Sequence, residues 1–306
     1  MRRAIKRVLY RLCKCLGLFC VARCVMRDRL RILAYHGFAL GDENRFRPEL
    51  FMESTLFCRR IEYLLRKGYP ILRLDDALQR LTERALPHNA VVITCDDGFY
   101  STWALAIPFL FQHCVPCTIY VTSYYVVKGN PVFRLVVQYM FWKTDRSLLD
   151  LSGLGLPDMR RVSLADPRAT QRVAWELICY GEKAMKEEER VALCDEIGKR
   201  LGVPYDRIVE NRFLSLMTPE ELRQAAAHGV DIELHTHRHE LPTDSDGSRR
   251  EIADNQDALE LMIGRRPRHF CYPSGIHETE HYEHLREAGI LTATTCDPGL
   301  TTGSIK

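Results

Sequence analysis

The sequence predicts an α/β fold, a barrel of about seven parallel strands with a helical insertion. Short runs rich in Ile, Val, Leu, Tyr and Thr alternate with longer helix-like stretches from residue 30 onward. This alternation is typical of parallel sheets whose strands are buried on both faces. Seven strands in a chain of 306 residues fit a barrel better than a small open sheet.

The composition is that of a folded globular protein. Apolar residues make up 46% of the chain and charged residues 27%, which excludes disorder, collagen or coiled coil as the main architecture. No apolar run approaches the ~18 residues that a membrane-spanning helix needs. The twelve cysteines are scattered through apolar segments, and they indicate reduced thiols in an intracellular protein rather than a disulfide framework.

Strand and helix candidates follow one another along the chain. The predicted strands cover residues 31–35, 70–72, 90–94, 118–122, 231–234, 269–272 and 290–294. The predicted helices between them cover residues 49–67, 75–82, 102–113, 219–228, 248–263 and 280–288. Residues 124–215 interrupt the alternation because they are mainly helical, so we interpret them as an insertion into the domain spanning residues 31–306.

The first 30 residues form a separate, basic amphipathic segment. Residues 1–31 contain ten Arg or Lys and one acid, a charge of +9, which leaves −6 for the rest of a chain whose net charge is +3. Leu9, Leu12 and Leu16 recur at helical spacing between the basic residues. Two interpretations stay open: a helix in peripheral contact with an anionic membrane surface, or a surface helix docked on the body.

Charge and the lack of a leader pattern also bear on location. The mildly acidic body argues against a nucleic-acid partner. No cleavable signal and no spanning helix are recognisable, so we expect the body in the cytoplasm, with residues 1–30 as the place where it could attach to the inner face of the membrane.

Polar residues stand where the predicted strands end. His36 follows the first strand, Asp96 and Asp97 follow the strand at 90–94, and a run of three histidines in five residues follows the strand at 231–234. The carboxyl ends of parallel strands meet at one mouth, which holds the active site of such folds. The sequence therefore predicts one shared site.

The residue types at this mouth favour a metal site. Adjacent buried carboxylates such as Asp96 and Asp97 need a cation or a shared proton, although Asp before a helix is also a good N-cap. His235 and His239, four residues apart in a loop, can bind one ion, and histidine with carboxylate suits Zn²⁺ or a similar divalent metal. His237 is predicted to point away from the other two, either to support the ligands or to lie at the rim of the site. For the three histidines together, a plain polar loop is the alternative.

Taken together these residues resemble the NodB-like polysaccharide deacetylases, carbohydrate esterase family 4. Thr94-Cys95-Asp96-Asp97-Gly98 is similar to the first family motif, Thr-Phe-Asp-Asp-Gly, and His235-Thr236-His237-Arg238-His239 matches the second, His-Ser/Thr-x-x-His. Tyr35-His36 resembles the start of the circularly permuted members, which begin with a Tyr-His strand. The resemblance implies a distorted (β/α) barrel, the NodB-homology fold.

The resemblance also implies a role for each residue. Asp97, His235 and His239 would bind the metal, Zn²⁺ first and Co²⁺, Ni²⁺ or Mn²⁺ as alternatives. Asp96 would be the general base for water, and His36 the general acid for the leaving amine. In the third motif, at residues 271–275, the backbone N–H of Ser274 would stabilise the oxyanion.

Several positions depart from the usual family pattern. Cys95 replaces Phe, Cys271 stands at the Arg position of the commonest third motif, and Ser274 at its Tyr position. Despite these departures, the resemblance implies a carbohydrate deacetylase. This is a metal-dependent hydrolase that removes an N-acetyl group from an amino sugar of a polysaccharide, glycolipid or glycan precursor. A deformylase-type amide hydrolase on the same fold, or a glycan-binding protein with impaired catalysis, is the alternative.

Overall fold

The computed structural model describes residues 2–154 and 161–301. The parts of the predictions that concern residue 1, residues 155–160 of the insertion and residues 302–306 at the end of the domain lie outside the described residues. The described strands are β1 Arg31–Tyr35, β2 Gly37–Phe38, β3 Phe51–Met52, β4 Val91–Cys95, β5 Thr118–Val121, β6 Leu148–Asp150, β7 Arg161–Ser163, β8 Asp231–Leu234, β9 His269–Cys271 and β10 Thr292–Thr294.

Helices lie between most of the strands. They are α1 Arg2–Cys15, α2 Leu18–Val25, α3 Glu43–Phe46, α4 Ser54–Arg66, α5 Leu74–Thr82, α6 Ile107–Gln112, α7 Ser123–Lys128, α8 Phe133–Lys143, α9 Pro167–Ala184, α10 Glu187–Leu201, α11 Tyr205–Glu210, α12 Pro219–Ala227, α13 Ser245–Ile263 and α14 Thr279–Glu287. A π-helical segment, Thr102–Ala106, runs into α6, and a 3₁₀ turn, Pro273–Gly275, follows β9.

The main sheet is a curled half-barrel of parallel strands. Within the described residues it has six strands in the order β1-β4-β5-β8-β9-β10. Beyond β10 the chain crosses to the other edge of the sheet, where Leu30 and Thr301 exchange backbone hydrogen bonds of 3.2 and 3.1 Å. The parallel α/β architecture is therefore confirmed.

The prediction of about seven strands is not confirmed. Residues 70–72 form only a single bridge, in which Val91 donates to the carbonyl of Pro70 and accepts from Leu72. Proline has no N–H for a ladder, and helix α5 already begins at Leu74, so too few residues remain for a strand.

The long connection between β5 and α12 is mainly helical. It forms α7 to α11 together with a short antiparallel ribbon of β6 and β7 that the sequence did not predict. Buried side chains of this part, such as Val136 and Leu177, belong to the same hydrophobic core as Ile119 and Ile232 of the main sheet. These helices therefore share the hydrophobic core of the sheet.

Helices α1 and α2 form a hairpin whose large apolar side chains are exposed. The chain turns between them at Gly17, which has a left-handed φ of 70°. Among the residues whose burial the structure describes, the first buried one is Leu30, just before β1. Among the described helices, none is both long and apolar enough to cross a bilayer.

Aromatic packing behind β1 fixes the strand that leads to His36. The ring of Phe57, on α4, lies 4.9 Å from the ring of Tyr35 and 4.9 Å from that of Phe38. Phe57 is fully buried. The Tyr35 carbonyl accepts a 2.8 Å hydrogen bond from the N–H of Asp96, so this cluster also supports the end of β4.

We expect Phe57→Ala to lower the free energy of unfolding by about 3–5 kcal/mol, because it removes a fully buried ring and leaves a cavity. Urea denaturation followed by circular dichroism would measure the change. Leu261→Ala, at a side chain that is 86% exposed, is the control and should stay within about 0.5 kcal/mol of the parent. A loss of less than 1 kcal/mol at Phe57 would show that α4 does not pack on β1 as described.

Candidate active site and metal centre

The polar residues predicted from the strand ends lie at one edge of the main sheet. His36 follows β1, Asp96 and Asp97 follow β4, and His235 follows β8. These strands are neighbours or near neighbours in the sheet, and all run in the same direction. The parallel arrangement therefore brings together side chains that are up to 200 residues apart in the chain.

Asp97, His235 and His239 form the centre of the site. Their ligand atoms lie within 4.8 Å of one another. Oδ1 of Asp97 lies 3.3 Å from Nε2 of His235 and 3.1 Å from Nε2 of His239. In a tetrahedral zinc site with bonds of about 2.0–2.2 Å, neighbouring ligand atoms are roughly 3.3 Å apart. The spacing of these three atoms therefore fits a divalent cation placed between them.

The hydrogen bonding of Asp97 supports the same conclusion. Oδ1 is buried, and despite the two nearby imidazoles it has no partner with hydrogen-bond geometry. A buried carboxylate oxygen without a partner is costly unless a cation satisfies it. One carboxylate and two imidazoles are a donor set that suits Zn²⁺ and similar ions.

Electrostatics at the centre favour positive charge. Burial alone would raise the pKa of the Asp97 carboxyl, but the imidazoles of His239 and His235 outweigh it and hold that pKa well below its ordinary value. Burial would lower the pKa of His235, yet the side chains of Asp97 and Cys271 raise it well above its ordinary value. The three side chains thus stabilise a positive charge between them.

The imidazole of His235 is oriented by a hydrogen bond from its Nδ1 to a backbone carbonyl. Its Nδ1 lies 2.7 Å from the carbonyl oxygen of Cys271, so Nδ1 carries the hydrogen and donates it. In the neutral ring this leaves the lone pair on Nε2, which faces Asp97. His239 approaches from the loop side, and its side chain is 40% exposed. The second imidazole is therefore the one open to solvent.

Asn255 is a positioning residue that the sequence analysis missed. It is fully buried on α13, and its Oδ1 accepts a 3.0 Å hydrogen bond from the N–H of His235. Its Nδ2 donates to the Val121 carbonyl at 3.0 Å and to Oγ of Ser123 at 2.9 Å. Asn255 thus ties the end of β5 to the end of β8. No local pattern marks an asparagine inside a helix for this task.

His237 lies outside the trio, on the far side of Ser123. Its Nδ1 is 2.8 Å from the Ser123 hydroxyl, and its carbonyl accepts from the N–H of Tyr124 at 2.8 Å. The ring makes an edge contact with Tyr124 at 5.6 Å. A hydrogen-bonded chain through Ser123 and Asn255 connects it to the backbone of His235. A supporting role for His237 stays a prediction.

Asp96 is the buried carboxylate next to the candidate metal ligands. Oδ2 lies 3.9 Å from Nε2 of His36 and 3.8 Å from the thiol of Cys271, while Oδ1 has no hydrogen-bond partner. Burial raises the pKa of this carboxyl; His235 and His36 oppose the rise, and Asp97 adds to it. Cys271 stands where the family motif has an arginine, and a thiol brings no positive charge to Asp96.

The loop that carries Asp97 is held in an unusual conformation. Asp97 has φ 71° and the following Gly98 has φ 83°, both in the left-handed region. A side chain on Gly98 would lie 3.1 Å from Val121, and the Gly98 carbonyl accepts from the N–H of Met217. Thr236 and His239 are left-handed as well. Non-glycine residues in this region are strained, and such strain clusters at functional sites.

Ser274 lies on the 3₁₀ turn that follows β9, three residues beyond Cys271. The residue is exposed, with a left-handed φ of 57°. Cys271 itself contacts both His235 and Asp96, so the turn belongs to the same mouth. The role of its backbone N–H towards an oxyanion stays a prediction.

Comparisons with known proteins found a family model that matches part of the chain. The family model "Polysaccharide deacetylase" matches residues 194–293, which include the histidine motif and Cys271. None of the curated proteins matches the chain. The aspartate pair at the end of β4 lies outside the matched residues, so it rests on the motif and on the geometry above.

Solved structures of deacetylases share the fold. The Streptococcus pyogenes deacetylase PplD, in complex with acetate, has a TM-score of 0.59 at 16% identity, covering 91% of this chain and 88% of its own. IcaB from Ammonifex degensii has a TM-score of 0.52 at 19% identity, with coverages of 88% and 84%. A de-N-acetylase from Aggregatibacter actinomycetemcomitans has a TM-score of 0.56 at 14% identity, with coverages of 91% and 92%.

At these identities the likeness to solved structures establishes a shared fold. Together with the family model it confirms the resemblance to polysaccharide deacetylases that the sequence predicted. A carbohydrate deacetylase is the enzyme class that these comparisons support.

We expect Asn255→Ala to weaken metal binding about 10–100-fold. The backbone N–H of His235 loses its hydrogen bond, so the imidazole is no longer held in position. Competition titration with a chromophoric zinc chelator would measure the affinity. Gln256→Ala is the matched control: Gln256 is the neighbouring buried amide on α13, and it donates to the Pro267 carbonyl at 3.0 Å, away from the site.

Both amide variants should lose about 1–3 kcal/mol of unfolding free energy, because each leaves buried polar groups without a partner. Only the variant at Asn255 should lose metal affinity. Equal affinities in the two variants would contradict the positioning role.

Proposed function

We propose that this protein is a divalent-metal-dependent hydrolase that removes an N-acetyl group from an amino sugar of a polysaccharide, glycolipid or glycan precursor. The observation that carries the proposal is the convergence of Asp97, His235 and His239 on one point, with the carboxylate of Asp96 beside them. The streptococcal relative of the same fold was solved with acetate, which is the acid that such a reaction releases.

The metal in the proposal is Zn²⁺, with Co²⁺, Ni²⁺ and Mn²⁺ as alternatives. Asp97, His235 and His239 would hold it. When bound, the ion supplies a Lewis acid for the amide carbonyl and lowers the pKa of water. Three protein ligands leave positions open for substrate and water, as in catalytic rather than structural zinc sites.

Asp96 takes the proton from the attacking water in this proposal. Its carboxylate has one oxygen without a partner, and its raised pKa makes it a better proton acceptor than an ordinary aspartate once ionised. A thiol rather than a guanidinium at position 271 is consistent with this raised pKa, because an adjacent arginine would lower the pKa of Asp96.

The remaining steps use His36 and the turn after β9. Water adds to the amide carbon, and the backbone N–H of Ser274 donates to the oxygen that gains charge. The C–N bond then breaks, and His36 gives a proton to the departing nitrogen. The products are acetate and a free amino sugar. His36 is suited to this because Nε2 lies 3.9 Å from Asp96, at the edge of the same site.

Product analysis tests the reaction itself. Purified protein is incubated with N-acetylated and N-formylated hexosamine oligomers, and acetate and formate are quantified by enzymatic assay while mass spectrometry follows the sugar. We expect acetate release with a loss of one acetyl group. Release of formate alone would assign the deformylase-type activity, and glycan binding without either product would assign a binding protein.

We expect Asp96→Asn to lower kcat about 10²–10⁴-fold, because the amide cannot accept the proton from water. Acetate release measures turnover, and zinc content measured by mass spectrometry should remain equal to that of the parent. Asp257→Asn, on the exposed part of α13, is the control for a lost carboxylate and should leave turnover unchanged. Full activity in Asp96→Asn would refute the assignment of the base.

We expect a strong chelator such as dipicolinate to abolish acetate release, and Zn²⁺ or Co²⁺ to restore it after dialysis. The physical reason is that the proposed ion is the Lewis acid that would polarise the amide carbonyl, and the candidate site residues cannot replace it in that role. Asp97→Asn should stay inactive after the same metal additions. Turnover that survives chelation, in protein with no measurable metal, would overturn the metal-dependent mechanism.

A further inference from the structure

The hairpin of α1 and α2, residues 2–25, presents apolar side chains to solvent rather than to the body. Ile5, Val8, Leu9 and Leu12 of α1 recur three and four residues apart, so they share one helix face. Their exposed fractions lie between 53% and 60%. None of the residues of α2 is buried. An apolar surface of this extent marks an interaction site.

Contacts within the described structure do not cover this surface. The hairpin has one internal ring contact, Tyr10 with Phe19, at a centroid distance of 6.3 Å. Arg23 of α2 makes a side-chain hydrogen bond to Tyr69 of the body. If the hairpin were docked through its apolar faces, Leu18, Val21 and Val25 would be buried, yet their exposed fractions are 48%, 58% and 68%.

The charge of the hairpin indicates what kind of partner covers it. Residues 2–25 contain seven Arg or Lys and no acid. In the part of the chain that the structure describes, no carboxylate pairs with Lys6, Arg11 or Lys14. A second copy of the hairpin would bring like charges together, which disfavours self-association. A negatively charged and apolar partner satisfies both properties at once.

We propose that this hairpin binds the surface of an anionic phospholipid membrane. Its apolar faces lie at the boundary of the acyl chains, and the basic residues between them contact the lipid phosphates. Long basic side chains suit this place because their stems cover apolar surface while their charged ends reach the headgroups.

The point of attachment makes this binding compatible with catalysis. The hairpin joins the body at Leu30, where β1 begins, and the N–H of Asn89 donates to the Arg27 carbonyl there. The candidate active site lies at the opposite, carboxyl ends of the strands. A chain bound to a membrane through the hairpin therefore leaves the mouth of the site open to the aqueous phase.

Vesicle flotation of the full chain, with a reducing agent present, tests the proposal. Vesicles of phosphatidylcholine alone are compared with vesicles that also contain about 40 mol% phosphatidylglycerol. We expect flotation with the anionic vesicles, little with the neutral ones, and loss of binding when salt is raised to about 1 M, because the attraction between charges is screened.

Two sets of variants separate the apolar and the basic contributions. Leu9→Glu with Leu12→Glu should abolish flotation, whereas Leu261→Glu, at an exposed leucine of α13, should not. Replacing Lys6, Arg11 and Lys14 by Gln should weaken binding by about 100-fold, since each basic residue near the surface contributes about fivefold. The matched control replaces three exposed basic residues of α9, Arg168, Arg172 and Lys183, by Gln.

Three outcomes would overturn the proposal. Equal flotation with neutral and anionic vesicles would remove the role of charge. Hairpin variants that float like the parent would place the binding surface elsewhere. Sedimentation velocity without lipid gives the third: a dimer that Leu9→Glu with Leu12→Glu converts to a monomer would assign the apolar faces to a second copy.

Discussion

The site depends on one electrostatic constraint, the approach of two imidazole nitrogens to a single buried carboxylate oxygen. Oδ1 of Asp97 lies within 3.3 Å of Nε2 of both His235 and His239 and has no hydrogen bond of its own. In a buried environment such a group of donors is stable only with positive charge between its members. A divalent cation would provide that charge, and three protein ligands would leave positions open for water and substrate.

The surrounding structure bears the cost of holding these atoms together. Three residues of the two loops that carry the candidate ligands, Asp97, Thr236 and His239, have left-handed backbone conformations that are unfavourable for residues with a side chain. Asn255 compensates by bonding the ends of two strands and Ser123 at once. Parallel pairing of β4, β5 and β8 sets the strand ends at the same level, which is why two short loops are enough to form the centre.

The electrostatic contrast between Asp96 and Asp97 follows from their different neighbours. Asp97 faces two imidazoles, which lower its pKa, whereas Asp96 is buried beside the thiol of Cys271, and its pKa is raised. Two adjacent carboxyls with opposite shifts are suited to different tasks, one to binding a cation and the other to accepting a proton. Position 271, where the family motif has an arginine, thus adds no positive charge beside the proposed base.

The amino-acid sequence alone determined the parallel α/β architecture and the residues of the centre, because buried apolar runs mark the strands and polar residues stand directly at their ends. Only the tertiary structure decided that residues 70–72 form a bridge instead of a strand, that Asn255 and Cys271 hold His235, and that the apolar faces of the N-terminal hairpin stay exposed. These features depend on contacts between residues that are distant in the chain, or on the absence of such contacts, and a local pattern carries no information about either. The periodicity of residues 1–30 predicts an amphipathic helix equally well for a helix packed on the body and for one that faces a membrane.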